Sequence, residues 1–299
     1  MAQPFREVVQ VPVAGGRLPV AVAGPPLTAG APVVLGLHGI TGSHRFFSPV
    51  ARHLDDRITL LVPDLRGRGA ATGLPGPFGF AAHIDDLVAL LHHLAVSRAV
   101  VAGHSMGAYV ATRLAAAVPD RVAAAVLIDG GLALPTPTGV DADEVLAGLL
   151  GPALARLSMG FASVAAYREF WRAHPAFAGA WNDDLVDFID YYLGPPVDGV
   201  FRSRVSEAAV RTDGRDLLDG DAARKALAAV SCPAVLLWAP RGLGDEPRPL
   251  LPPAVRAEAG QLVPHLVVRE LPDTNHYLIM LRDRDARLVA AEIGRRALD

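Results

Sequence analysis

The sequence predicts an α/β fold: a mostly parallel central sheet with helices on both faces, carrying an inserted helical lid. Three observations lead there. Short apolar runs alternate with helical patterns from about residue 32 to Gly131, and strand character returns at Pro233. One of those runs, Ala99-Val100-Val101-Ala102, leads into Gly103-His104-Ser105-Met106-Gly107 and then into a helix-forming segment that Pro119 stops. Between Leu132 and Ala229 no buried strand is legible, only amphipathic helical patches.

In chain order, Phe5 to Val11 and Arg17 to Ala23 read as two short strands joined by a turn at Ala14-Gly15-Gly16. Pro32 to Leu37 reads as a central strand ending in His38-Gly39-Ile40-Thr41-Gly42-Ser43. Phe46 to Leu54 is helical, Ile58 to Val62 is the next buried strand, and Phe80 to Ala95 is helix again. Val122 to Ile128 forms another strand, ending at Asp129-Gly130-Gly131. Leu134-Pro135-Thr136-Pro137-Thr138-Gly139 has the composition of a linker. Helical patches follow at 143–158, 163–173, 182–193 and 203–210. Strands return at 233–238 and 266–271, and a last helix covers about 285–298. The expected division is a core of residues 1–131 and 230–299 with a helical cap, or lid, at 132–229.

Composition narrows the classes of function. With 299 residues, 51% of them hydrophobic and 20% charged, a sizeable core is expected and global disorder is not. A formal charge of −3 argues against nucleic acid and polybasic membrane contacts as partners. The N-terminus lacks a basic-then-apolar signal profile and no stretch approaches a membrane span, so a soluble, cytoplasmic protein is expected. The one cysteine, Cys232, cannot form an internal disulfide and reads as a buried structural thiol. No metal-ligand spacing and no dinucleotide glycine pattern is present, so neither a metal nor another cofactor is expected.

Strand, Gly-x-Ser-x-Gly, helix is the pattern of a nucleophile elbow. The turn leaves no room for Cβ atoms beside the serine, and it lifts the Ser105 hydroxyl over a helix N-terminus that favours negative charge. A serine that merely caps the helix is the alternative. Together with His38-Gly39, Asp64-Leu65-Arg66-Gly67-Arg68-Gly69 and Asn275-His276-Tyr277, in that order, the elbow resembles the α/β-hydrolase superfamily, specifically its lidded serine esterase-like members. The resemblance runs from about Phe5 to Leu298.

A serine hydroxyl needs a base within hydrogen-bond reach, and histidine has the pKa for it. His276 follows the last strand, where a loop can reach back to Ser105 and where the family keeps its catalytic histidine. His104, beside the nucleophile, is expected to point away from it. The orienting carboxylate should lie between serine and histidine in the chain. Asp245 is favoured, although it stands seven residues beyond Trp238 and glycine occupies position 242, where the acid is first sought. Asp129, at the end of the preceding core strand, is the alternative that some family members use.

The Met106 backbone N–H is one expected oxyanion donor, and the resemblance puts the other at Ile40. His38 is a candidate substrate-binding residue, expected to act mainly by holding its loop. The Asp64 to Gly69 stretch is expected to brace loops beside the site, with phosphate binding as the alternative. Phe161, Trp171, Trp181, Tyr191 and Tyr192 are candidates to line an apolar substrate pocket, with plain core packing as the alternative.

The resulting expectation is a cofactor-independent serine hydrolase cleaving a small, apolar carboxylic ester, lactones and thioesters included, through an acyl-enzyme. Carbon–carbon bond hydrolysis, cofactor-free oxygen chemistry, and a ligand receptor with a vestigial triad are the alternatives on the same scaffold. The sequence carries no signal for an oligomeric state.

Overall fold

The computed structural model describes residues 4–136 and 139–299. Pro137 and Thr138 of the expected linker, and Met1 to Gln3, lie outside the described residues. Eight strands form one sheet: β1 (Glu7–Val13), β2 (Gly16–Ala23), β3 (Val33–Leu37), β4 (Thr59–Pro63), β5 (Ala99–His104), β6 (Val122–Ile128), β7 (Ala234–Trp238) and β8 (Leu266–Glu270). Their order is β1-β2-β4-β3-β5-β6-β7-β8. β1 and β2 pair antiparallel, as does β2 with β4, and every later pairing is parallel. Strands β3 to β6 are built mainly of Val, Leu, Ile and Ala and are buried along nearly their whole length, as a sheet covered on both faces requires.

The helices are α1 (Ser48–His53), α2 (Phe80–His93), α3 (Met106–Ala117), α4 (Ala142–Ser158), α5 (Val164–Arg172), α6 (Asp183–Tyr191), α7 (Glu207–Leu218), α8 (Gly220–Ala228), α9 (Pro253–Leu262), α10 (Leu278–Leu281) and α11 (Asp283–Leu298). In one layer α3 packs on α2 and α8; in the other α11 packs on α1 and α10. None of the described helices is long and apolar enough to cross a membrane.

Helices α4 to α8 all fall between β6 and β7. Their starts are written locally: Asp141, Ser163, Asn182, Ser206 and Asp219 each accept a hydrogen bond from an amide of the first turn. The helix expected at 203–210 instead begins at Glu207 and runs to Leu218, and α8 and α9 were not anticipated. The same stretch also holds isolated bridges, Phe161 with Phe201 and Leu193 with Ser203.

The parallel strands all deliver their carboxyl ends to one edge of the sheet, where ligands bind in folds of this kind. His38 follows β3, Asp64 follows β4, Ser105 follows β5, Asp129 follows β6, and the loop carrying His276 follows β8. The register brings Leu37 opposite Gly103 and His104 opposite Ile128, so three of these loops leave the sheet side by side.

Candidate active site

Ser105 sits between β5 and α3 at φ 54°, ψ −123°, a conformation costly for a residue with a side chain. The surrounding backbone imposes it. The Ser105 amide donates to the Ile128 carbonyl at 2.9 Å, and the Ser105 carbonyl accepts from the Ala108 amide at 2.9 Å. A Cβ on Gly103 would overlap the Gly107 carbonyl, and one on Gly107 would overlap the Leu37 carbonyl, so both flanking glycines are sterically required. The Ser105 hydroxyl makes no capping bond to α3. It stands 3.0 Å from His276 Nε2 instead.

The other ring nitrogen, His276 Nδ1, donates to Asp129 Oδ2 at 2.7 Å. With Nδ1 donating, Nε2 is the acceptor for the serine hydroxyl. Asp129 is completely buried, and its second oxygen accepts from the Ala239 amide at 3.0 Å, which fixes the carboxyl plane. Its φ of 46° is a left-handed value that Asp tolerates better than most residues.

Asp245, the acid favoured from the sequence, is elsewhere. The chain after β7 turns back at Gly242–Asp245 and pairs the carboxyl with Arg241 at 2.8 Å, four residues earlier. That hydrogen bond, against a small cost of burial, holds the Asp245 carboxyl below the usual carboxylate range. Its nearest link to the histidine is indirect: Oδ1 accepts from Asn275 Nδ2 at 3.0 Å, bracing the residue before His276. The reason is topological. β6 neighbours β5, so a residue at its end is already beside Ser105, whereas Asp245 lies well out along the loop that follows β7.

His104 corrects a second expectation. Its ring does not turn away but lies against His276, with centroids 4.7 Å apart, and Nε2 bonds to the His276 carbonyl at 2.8 Å. Burial, reinforced by the neighbouring His276, pushes its pKa well down, so it is a neutral donor. Sequence reasoning missed this residue as a support for the histidine loop.

The loop after β3, expected to supply an oxyanion donor, is held by buried side chains. His38 is fully buried and does not line the cavity, contrary to its candidacy for substrate contact. Burial lowers its pKa to about 4. The neutral ring donates from Nδ1 to the Gly39 carbonyl at 2.8 Å and accepts at Nε2 from the Leu65 amide at 3.0 Å. Arg68 donates from Nε to the Ile40 carbonyl at 2.8 Å, and Ile40 borders the cavity. Met106 opens α3, so its amide has no partner within the helix.

The charged side chains of the Asp64 to Gly69 stretch are spent internally. Asp64 accepts from the His44 amide and ring, the Ala70 amide and the Tyr191 hydroxyl at 2.7–2.9 Å. Burial would raise its pKa, but the bonds from His44 outweigh that and hold it at about 2. Arg66 pairs with Asp86 at 2.6 Å, and Arg68 pairs with Asp213 of α7. No cation of this loop is left to receive a phosphate.

A cavity of about 450 Å³ lies over Ser105 and His276. Trp171 and Tyr192 line it, joined by Phe46, Phe170, Phe188 and Tyr277. Three other aromatic candidates do not. Phe161 packs edge-on against Tyr167 and Phe170, Trp181 lies beneath the Arg172 guanidinium, and Tyr191 is committed to Asp64. Trp171 is on α5 and Tyr191 ends α6, whereas Phe161 and Trp181 lie in the segments just before α5 and α6; only the packing between these segments separates wall from core.

The family model for the alpha/beta hydrolase fold matches residues 32–283. The chain belongs to that family. Among solved structures, E-2-(acetamidomethylene)succinate hydrolase superposes on this alpha/beta hydrolase with a TM-score of 0.80 and 25% identity, covering 98% of this chain and 99% of the other. The 2-(acetamidomethylene)succinate hydrolase of Mesorhizobium japonicum is 30% identical over 253 residues, 83% of this chain and 82% of its own. Lipase LipV of Mycobacterium tuberculosis is 43% identical over 101 residues, which span only 38% of the lipase and 34% of this alpha/beta hydrolase.

Proposed function

We propose that the protein is a serine hydrolase acting on carboxylic esters or thioesters through an acyl-enzyme, with Ser105, His276 and Asp129 as its triad. One observation carries the reading: the unbroken hydrogen-bond chain from Asp129 Oδ2 through His276 to Ser105 Oγ.

In this reading Ser105 Oγ attacks the substrate carbonyl while its proton passes to His276 Nε2. Asp129 keeps the imidazole in the reactive tautomer and stabilises its charged form. The Ile40 and Met106 amides receive the developing oxyanion. The imidazolium then protonates the departing alcohol or thiol, and a water activated by the same nitrogen releases the acid and regenerates Ser105.

Residues 132–229 act as a cap in this account, since α4, α5 and α6 contribute cavity-lining residues such as Leu150, Trp171 and Phe188. A second reading, hydrolysis of an N-acyl bond by the same steps, draws on the Mesorhizobium japonicum relative, whose name describes an acetamido substrate. Purified protein offered matched p-nitrophenyl butyrate and N-butyryl p-nitroanilide decides between them. Ester turnover that disappears in Ser105→Ala is expected. Turnover retained in Ser105→Ala would refute the acyl-enzyme, and preference for the anilide would favour the second reading.

A further inference from the structure

Three arginines are buried among the described residues, and the fold treats them differently. Arg66 and Arg68 each sit against an aspartate, Asp86 and Asp213. Arg156, in the last turn of α4, is 2% exposed and has no carboxylate within ion-pair distance among the described residues. Its guanidinium lies over the Trp171 ring, 4.9 Å from the centroid, and beside Tyr192 at 5.4 Å. Nη1 donates to the Tyr167 hydroxyl at 3.2 Å, and Nη2 has no acceptor.

A guanidinium does not shed its charge when buried, so it needs a counter-charge or strong dipoles. The groups facing Arg156 supply no negative charge. Burial pushes the Tyr167, Tyr192 and Tyr277 hydroxyls up, against the pull of Arg156, so all three stay neutral. Burial, then the charge of Arg156, pushes His174 down, so no second cation stands beside it. Glu246 also borders the cavity, but the residue is exposed, its carboxyl accepts from the Gly244 amide at 2.7 Å, and it makes no ion pair with Arg156. The two aromatic faces offset part of the cost without neutralising the charge.

Arg156 lines the same cavity as Ser105 and His276. We propose that Arg156 is the receptor for a carboxylate on the substrate, making the preferred substrate an ester or acyl compound that also bears a free acid. The inference rests on the cavity over Ser105 being the substrate site of the proposed function. A carboxylate fits the guanidinium fork and brings one negative charge to one positive charge. A phosphate monoester, at about −1.5 to −2, would leave excess charge in a largely apolar pocket.

The test reads binding without turnover. Isothermal titration of wild-type protein compares 4-phenylbutyrate with its neutral isostere 4-phenylbutyramide, with inorganic phosphate as a competing anion. The carboxylate is expected to bind at least tenfold more tightly. That preference should shrink to within about threefold in Arg156→Met and survive in part in Arg156→Lys, with folding of each variant checked by circular dichroism. Equal affinity of wild type for the pair, including no measurable binding of either, would overturn the inference whatever the variants do. So would a preference that persists in Arg156→Met, or displacement of 4-phenylbutyrate by phosphate at lower concentration than by acetate. Because no ester is turned over, failure of ester hydrolysis strikes the proposed function and leaves this comparison standing.

Discussion

His276 Nδ1 donates a 2.7 Å hydrogen bond to Asp129 Oδ2, joining the loop after the last strand to the end of β6, two positions away in the sheet. The acid is thereby separated from the histidine by 147 residues of chain, while Asp245, 31 residues from it, faces Arg241. Under the proposed function, this relationship gives the orienting role to Asp129 and a bracing role to Asp245.

Asp129→Asn is therefore expected to lower kcat by as much as ~10⁴-fold, since an amide cannot hold the imidazole in the reactive tautomer or stabilise its cation. Asp245→Asn removes an ion pair whose partners are 41% and 35% exposed, so its cost is about 0–1 kcal/mol, with kcat changed less than about fivefold. Ester kinetics and melting temperatures of both variants check this. A collapse in Asp245→Asn with activity kept in Asp129→Asn would reverse the assignment.

Arg68 connects the loop after β3, through the Ile40 carbonyl, to Asp213 on α7, and Asp213 also meets His83 at 3.0 Å. Both partners of the Arg68–Asp213 pair are fully buried. Arg68→Met leaves that buried aspartate with only His83 and the Gly79 amide as partners and should cost about 3–5 kcal/mol. Adding Asp213→Leu should recover only part of it, because the pair's charges are gone but the Gly79 amide and His83 lose their acceptor. Urea unfolding of the single and double variants measures both numbers. A single-variant loss below about 1 kcal/mol would contradict the clamp.

Acid stability follows from His38. Burial holds its folded pKa near 4, against an ordinary value of 6.5. Between those values the unfolded chain takes up a proton that the folded chain refuses, so stability is full above pH 6.5 and falls as pH drops toward 4. The loss amounts to about 3 kcal/mol at 1.4 kcal/mol per unit. Burial acts in the same direction at His104. Asp64, held at about 2, adds its own loss only below about pH 4. Urea midpoints should decline steadily from pH 7 to 4.5, and a constant or rising midpoint would oppose the neutral, buried assignment.

Much of this architecture can be read locally. The run Val122 to Ile128 is β6 residue for residue, and the glycines around Ser105 announce the elbow because no other residue fits there. What could not be read depends on packing between distant segments. Gly214 stands inside α7, where a Cβ would press on the Leu146 side chain of α4, so the glycine answers to packing that the local sequence does not show. Pro252-Pro253 looks like a break, but proline is well suited to the first turn of α9. Which aspartate meets His276 depends on strand order, and which aromatic residues wall the cavity depends on how the helices between β6 and β7 pack. One signal was available and unused: Arg241 stands four residues before Asp245, a spacing at which the two charges pair.

The measurement that bears most directly on the account is mass spectrometry of the protein treated with a fluorophosphonate, which traps activated serines. A single adduct on Ser105 is expected, absent from Ser105→Ala and much slowed in His276→Gln and Asp129→Asn. An adduct on another residue, or labelling of Ser105 at an undiminished rate when His276 is replaced, would contradict a nucleophile activated through the Asp129–His276 chain.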